Sequence, residues 1–222
     1  MKFSAFLFDM DGTMLDNMGV HMQVWLEYLS NEGVVLEPEH FYKFAAGRTN
    51  AEILRELIRP DLSADEINAY SRKKEDLYRL RYRPILSAVK GLETFLRAAH
   101  SLRIPMAVGS SAGCENILFH LDGLGFESYF SALVGSDDIR NGKPDPEIFL
   151  LAAQRLGIPA DKCLVFEDTP AGLEAADRAG MRAIALTTTY PAERLQNHAS
   201  VLRVVPDFEG LDPAELWNPT MP

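Results

Sequence analysis

Cysteine is scarce in this chain of 222 residues: only Cys114 and Cys163 occur, in neither metal-binding nor redox spacing. That excludes a disulfide framework or a cysteine-built metal centre and leaves two reduced packing residues. Basic charge is also scarce. With 22 Lys and Arg against 32 Asp and Glu, the formal net charge is −10, which argues against nucleic acid or an anionic membrane as a partner. No apolar run approaches the roughly 20 residues of a membrane span, and the N-terminal run is cut at Asp9, too early for a secretory signal. A cytoplasmic location is expected. Internal repeats and low-complexity stretches are absent too. What remains, 47% hydrophobic and 24% charged, is ordinary globular composition. The length allows a substantial core and suggests one domain carrying an insertion.

The first hydrophobic run, from Phe3 to Phe8, breaks off at Asp9-Met10-Asp11-Gly12-Thr13. In an extended segment, side chains at i and i+2 share a face, so Asp9 and Asp11 project together while Met10 turns into the core. Like charges this close call for a cation, either a divalent metal or a lysine, unless they form an acid/base couple. A solvated turn accounts for the motif equally well when it is taken alone.

After that strand comes a long stretch without strand signal, and then strands alternate with helices. Met18, Met22, Trp25, Leu26 and Leu29 form one helical stripe, and Ile53, Leu54, Leu57 and Ile58 another. Thr49 to Glu52 and Ser63 to Glu66 have capping-box form. From Gly91 onward the spacing predicts strands at Met106 to Ser110, Ala132 to Gly135, Cys163 to Glu167 and Arg182 to Thr187, a weak strand at Val201 to Val205, and an irregular tail from Asp212. The fold class is α/β: a doubly wound parallel-sheet core, residues 1–15 and 87–222, interrupted by an all-helical cap, residues 16–86.

Ligands of open parallel sheets bind outside the carboxyl ends of the strands. There the sequence places Asp9, Asp11, Ser110, Glu167 and Asp168, with Lys143 in the loop after the third strand. Each has an ordinary reading as a turn residue, cap or surface lysine. Pro144 keeps Lys143 out of helical conformation, however, and Asp145 and Pro146 have the form of N-cap and N1, so the lysine is held just before a helix. The carboxylates of Asp9, Asp11 and Asp168, a hydroxyl and a lysine on one sheet edge are hard to dismiss together.

Asp9-Met10-Asp11-Gly12-Thr13, Ser110, Gly142-Lys143-Pro144-Asp145-Pro146 and Glu167-Asp168 resemble the four ordered motifs of the haloacid dehalogenase superfamily. The helical insert resembles the cap of its β-phosphoglucomutase and phosphoglycolate phosphatase branch. The resemblance implies a magnesium-dependent phosphotransferase with an aspartyl-phosphate intermediate. It makes Asp9 the nucleophile and Asp11 the general acid/base. Ser110, Ser111 and Lys143 become contacts of the phosphoryl group. Mg2+ is expected on Asp9, Asp168 and the Asp11 backbone carbonyl, with Glu167 behind a metal-bound water. Dehalogenases lack the second aspartate, so Asp11 favours phosphoryl transfer.

In the cap, Lys74 falls on an apolar stripe, and His21 lies between Met18 and Trp25; alone they read as a snorkelling lysine and a satisfied core histidine. The β-phosphoglucomutase pattern has a histidine and a lysine matching these two positions, and a loop matching Ala46-Gly47-Arg48-Thr49, so Gly47, Arg48, His21 and Lys74 are expected to contact substrate. Where the mutases carry a serine-lysine-asparagine anchor for a second phosphate, this chain has Ala112, Gly113 and Cys114, with Asn116 as an imperfect substitute. A phosphatase acting on a small phosphorylated metabolite, a sugar phosphate in chemical class, is therefore expected ahead of a mutase. A receiver-type phosphoacceptor domain is disfavoured by the position of Asp9 and by the insert. An inactive binding protein is disfavoured because every core motif residue is present.

Overall fold

The computed structural model describes residues 3–38, 41, 45 and 48–217. Six parallel strands form one sheet: β1 (Ala5–Phe8), β2 (Met106–Gly109), β3 (Ala132–Val134), β4 (Cys163–Glu167), β5 (Arg182–Leu186) and β6 (Val201–Val205), in the order β3-β2-β1-β4-β5-β6. The order reverses between β1 and β4, which opens a crevice at the carboxyl ends of those two strands.

The central strands are buried on both faces, and this explains their unbroken apolar runs. Alternate residues feed two cores. Phe6, Phe8, Leu164, Phe166 and Ile184 face one side, where they meet Phe95, Leu96 and Ile117 from α4 (Leu92–Ser101) and α5 (Cys114–Leu124). Ala5, Leu7, Val165 and Ala183 face the other, against Ile148, Phe149 and Leu173 from α6 (Glu147–Leu156) and α7 (Pro170–Arg178). Between β1 and β4 the register sets Phe8 beside Phe166, with their rings stacked at 4.7 Å. The next residue of each strand path is then a carboxylate, Asp9 or Glu167.

The segment between β1 and α4 contains α1 (Met18–Asn31), α2 (Asn50–Leu57) and α3 (Ala64–Tyr82). Both expected capping boxes are present: Thr49 accepts from the Glu52 N–H and Ser63 from the Glu66 N–H, each answered by the glutamate side chain. Trp25, Leu29, Phe41, Ile53, Leu54 and Ile67 make a third core, separate from the two that sandwich the sheet.

Several boundaries move by a residue or two, as helix and strand ends do. The tail is a real correction. It is not irregular through Trp217: Asp212 Oδ1 accepts from the Ala214 N–H at 2.9 Å, Pro213 takes the first helical position of the short helix α9 (Pro213–Leu216), which follows α8 (Ala192–Leu195), and the Phe3 N–H bonds the Leu216 carbonyl at 2.8 Å. The Asp-Pro pair was the signal for this cap. No helix among the described residues is long and apolar enough to cross a membrane.

Candidate active site

The strand ends converge as expected. Lys143 Nζ donates to Asp9 Oδ1 at 2.5 Å and to Glu167 Oε1 at 2.7 Å, with all three residues buried. The lysine reaches them from just before α6. That helix starts one residue later than the sequence suggests: Pro146 is the N-cap residue, and Asp145 Oδ1 accepts from the Glu147 N–H at 3.0 Å. Glu167 is fixed further by its own turn, where Oε2 accepts from the backbone N–H groups of Asp168 and Thr169 at 2.7 and 2.6 Å. Thr169 then caps α7 through the Gly172 N–H.

Asp168 is buried with Oδ1 accepting from the Thr13 hydroxyl at 2.9 Å, while among the described residues Oδ2 has no hydrogen bond of good geometry, although the Thr189 side chain acts to hold the carboxyl down. That orphan oxygen lies over Gly12, whose φ of +90° and lack of a side chain both matter: a Cβ there would fall 2.0 Å from Asp168 Oδ2. Asp9, Glu167 and Asp168 each offer a carboxylate oxygen within 4.8 Å of the others. Of these three buried carboxylates, Lys143 bonds two. Burial pushes the Asp9 carboxyl up, the Lys143 ammonium pulls it down, and Glu167 pushes it up again, leaving it above the usual carboxylate range. Burial, Glu167 and Asp9 likewise raise Asp168. Burial alone would lower the Lys143 ammonium, but Asp9 and Glu167 hold it above its ordinary value. An uncompensated hard-oxygen cluster with an orphan acceptor fits a hard divalent cation such as magnesium, which favours oxygen ligands.

Asp11 takes a different environment. The chain leaves the strand after Phe8, and Met10 turns into the core as expected, but the Asp11 carboxylate is outside the three-carboxylate set. It accepts from Asn17 Nδ2 at 2.6 Å and faces His21 Nε2 at 3.5 Å. Burial raises its carboxyl, but His21, His120 and the Asn17 amide outweigh that and hold it below the ordinary range. His21 is thus more than a satisfied core histidine. Its Nδ1 lies 3.0 Å from Lys74 Nζ; because an ammonium only donates, Nδ1 accepts and the ring proton sits on Nε2, toward Asp11. Lys74 is 1% exposed, which rules out a snorkelling side chain.

Asp9, Asp11, Ser110 and Ser111 line one pocket with His21, Trp25, Arg48, Lys74 and Glu75. Ser110 is buried at the end of β2, and its Oγ accepts from the Ala112 N–H at 3.1 Å. Gly47 lies outside the described residues. Nothing in the sequence singles out Glu75, His120 or Tyr78 for this site. Asn17 bonds Asp11 and also the Tyr78 hydroxyl at 2.6 Å, and that hydroxyl lies 3.0 Å from His120 Nε2. Nothing local in sequence marks such a chain.

Residues 3–180 match the family model for haloacid dehalogenase-like hydrolases, and the chain belongs to that family. It is 35% identical over 190 residues to a fructose-1-phosphate phosphatase of Escherichia coli (strain K12), covering 82% of this chain and 96% of that one. A phosphorylated carbohydrates phosphatase of Thermotoga maritima is 30% identical over 180 residues, 81% of this chain and 83% of the relative. Among solved structures, β-phosphoglucomutase from Clostridium difficile superimposes with a TM-score of 0.82 at 23% identity, covering 95% of this chain and 93% of that one. At that identity the likeness is one of fold.

The buried His120 gives a pH prediction. Burial lowers it from 6.5 to about 4, so the unfolded chain binds a proton at a pH where the native chain does not. The resulting stability is complete above about pH 6.5 and lost as pH falls toward 4, on the order of 3 kcal/mol. Urea unfolding at pH 7 and at pH 4.5 should show His120→Asn losing less stability on acidification than the parent. Equal losses would contradict the assignment.

Proposed function

We propose that this chain is a magnesium-dependent phosphatase that hydrolyses a small phosphorylated metabolite, most simply a sugar phosphate, through an aspartyl phosphate on Asp9. The observation that carries this reading is the buried set of Asp9, Glu167, Asp168 and Lys143 at the sheet's switch point, opening into a pocket roofed by the helical segment. The two phosphatase relatives support the substrate class. In this reading residues 1–15 and 87–222 are the catalytic core and 16–86 the cap.

Asp9 attacks phosphorus and needs to be ionised to do so. Asp9, Asp168 and the Asp11 backbone carbonyl would hold magnesium, with Glu167 behind them. When bound, the ion supplies positive charge against the anionic phosphoryl group and favours the ionised carboxylates. Lys143 and Ser110 meet the equatorial phosphoryl oxygens as charge spreads over them. Asp11 gives a proton to the leaving oxygen and then takes one from the attacking water. His21 and Asn17 hold Asp11 in its base form, the form the second step uses; an arriving phosphate dianion opposes them and favours the acid form the first step needs. Arg48, with Gly47 next to it in sequence, and Lys74 and His21 select the substrate from the cap side.

The contact of His21 with Lys74 keeps a mutase as the second reading, since the mutase pattern has a histidine and a lysine at these positions. Ala112, Gly113 and Cys114 speak against it, and Asn116 is committed to Glu75 and Arg79 at 2.6 and 2.7 Å. A mutase must hold its phosphoenzyme until a monophosphate returns, which requires a second phosphate anchor.

Two experiments test these statements. Inorganic phosphate release from a panel of sugar monophosphates should stop on chelation and return with magnesium, and Asp168→Ala should raise the magnesium requirement at least about tenfold, because it removes one hard-oxygen ligand. Activity indifferent to exhaustive chelation would remove the role given to Asp168. Separately, β-glucose 1-phosphate, if turned over, should yield mainly glucose and phosphate even when a bisphosphate primer is present. Efficient conversion to glucose 6-phosphate without phosphate release would establish the mutase instead.

A further inference from the structure

Glu75 follows Lys74 on α3, and its carboxylate lines the pocket across from the catalytic aspartates. Three donors of the pocket wall, Lys74, Asn50 and Asn116, are drawn to it. Its Oε1 accepts from Lys74 Nζ and from Asn50 Nδ2, both at 2.7 Å, and its Oε2 accepts from Asn116 Nδ2 at 2.6 Å. The Lys74 ammonium is further occupied by His21 and by the Trp25 ring, 5.0 Å away. The other face of Asn116 accepts from Arg79 Nη1 at 2.7 Å, and that guanidinium is compensated by Asp76 and Glu115. Burial alone would raise the Glu75 carboxyl, but Lys74, His21 and the Asn50 amide hold it at about 2, so it is ionised at neutral pH.

A partly buried carboxylate at a pocket wall can accept from hydroxyl groups. A second phosphate or carboxylate placed beside Glu75 meets a like charge whose surrounding donors are already engaged, and pays that repulsion where water screens less than in bulk. Resting on the phosphatase reading, we propose that Glu75 is a specificity-determining residue: it admits phosphate monoesters whose remaining part is neutral and hydroxyl-bearing, and it turns away those with a second anionic group. The Lys74 charge that would attract such a group is cancelled by its own neighbour in sequence.

The test is the ratio of kcat/KM for fructose 1-phosphate to that for fructose 1,6-bisphosphate. The wild type should favour the monophosphate by about tenfold or more. Glu75→Gln, which keeps the shape and removes the charge, should cut that ratio at least about tenfold, chiefly by lowering KM for the bisphosphate, while Glu75→Asp keeps it. A merely structural role would weaken both substrates alike and leave the ratio unmoved, which would overturn the inference. Equal use of the two substrates by the wild type would overturn it as well, whether or not the glutamine variant folds. Absence of phosphate release by the wild type from fructose 1-phosphate and from every other neutral sugar monophosphate would instead remove the phosphatase reading on which it rests.

Discussion

The Lys143 ammonium, held between Asp9 and Glu167, is the interaction on which the rest of the site depends. Parallel pairing of β1 with β4 sets Phe8 against Phe166, and one residue further along, the same register crowds two carboxylates into a buried crevice, with Asp168 beside them. Such charges stay buried only if paired, and removing one partner of a buried pair typically costs about 3–5 kcal/mol. The lysine comes from a third place in the chain, the loop before α6, so the charge balance ties three parts of the core to one point. It does not complete that balance. Two carboxylates beyond the one it neutralises leave room for a divalent cation, and the unpartnered Asp168 oxygen lies over a glycine where no side chain fits.

On the opposite side of the pocket, polar contacts join the helical segment to the core. The chain from Asp11 through Asn17 and Tyr78 to His120 begins at the sheet edge, passes through α3 and ends on α5. Glu75 and Arg79 meet Asn116 in the same way. His21, which contacts Lys74 on the helical side, also faces Asp11, so the two sets of contacts meet at one ring.

Much of this was legible in the sequence where a local pattern carried it. The apolar runs gave the strands, the two S/T-x-x-E boxes gave the starts of α2 and α3, and the rule that parallel sheets present their ligands at strand ends assembled Asp9, Ser110, Lys143, Glu167 and Asp168 in advance. Lys74 stood out because an ammonium on an apolar stripe needs a reason. Glu75 did not, since a glutamate on a charged helix is usually solvent-exposed; only the approach of Asn116, 41 positions away, makes it a pocket residue. His120 was hidden for the same reason, and its partner Tyr78 looked like ordinary core packing. The Asp212-Pro213 cap was readable and was passed over because the surrounding segment lacks hydrophobic periodicity.

Whether Asp9 carries the phosphoryl group is decided by peptide mapping by mass spectrometry after acid quench during steady turnover of a sugar monophosphate with magnesium. A hydroxylamine-labile phosphoryl adduct is expected on the peptide containing Asp9 and absent from Asp9→Asn, which should be folded and inactive. An adduct on another residue, or an Asp9→Asn enzyme that turns over at the parent rate, would contradict that role for Asp9.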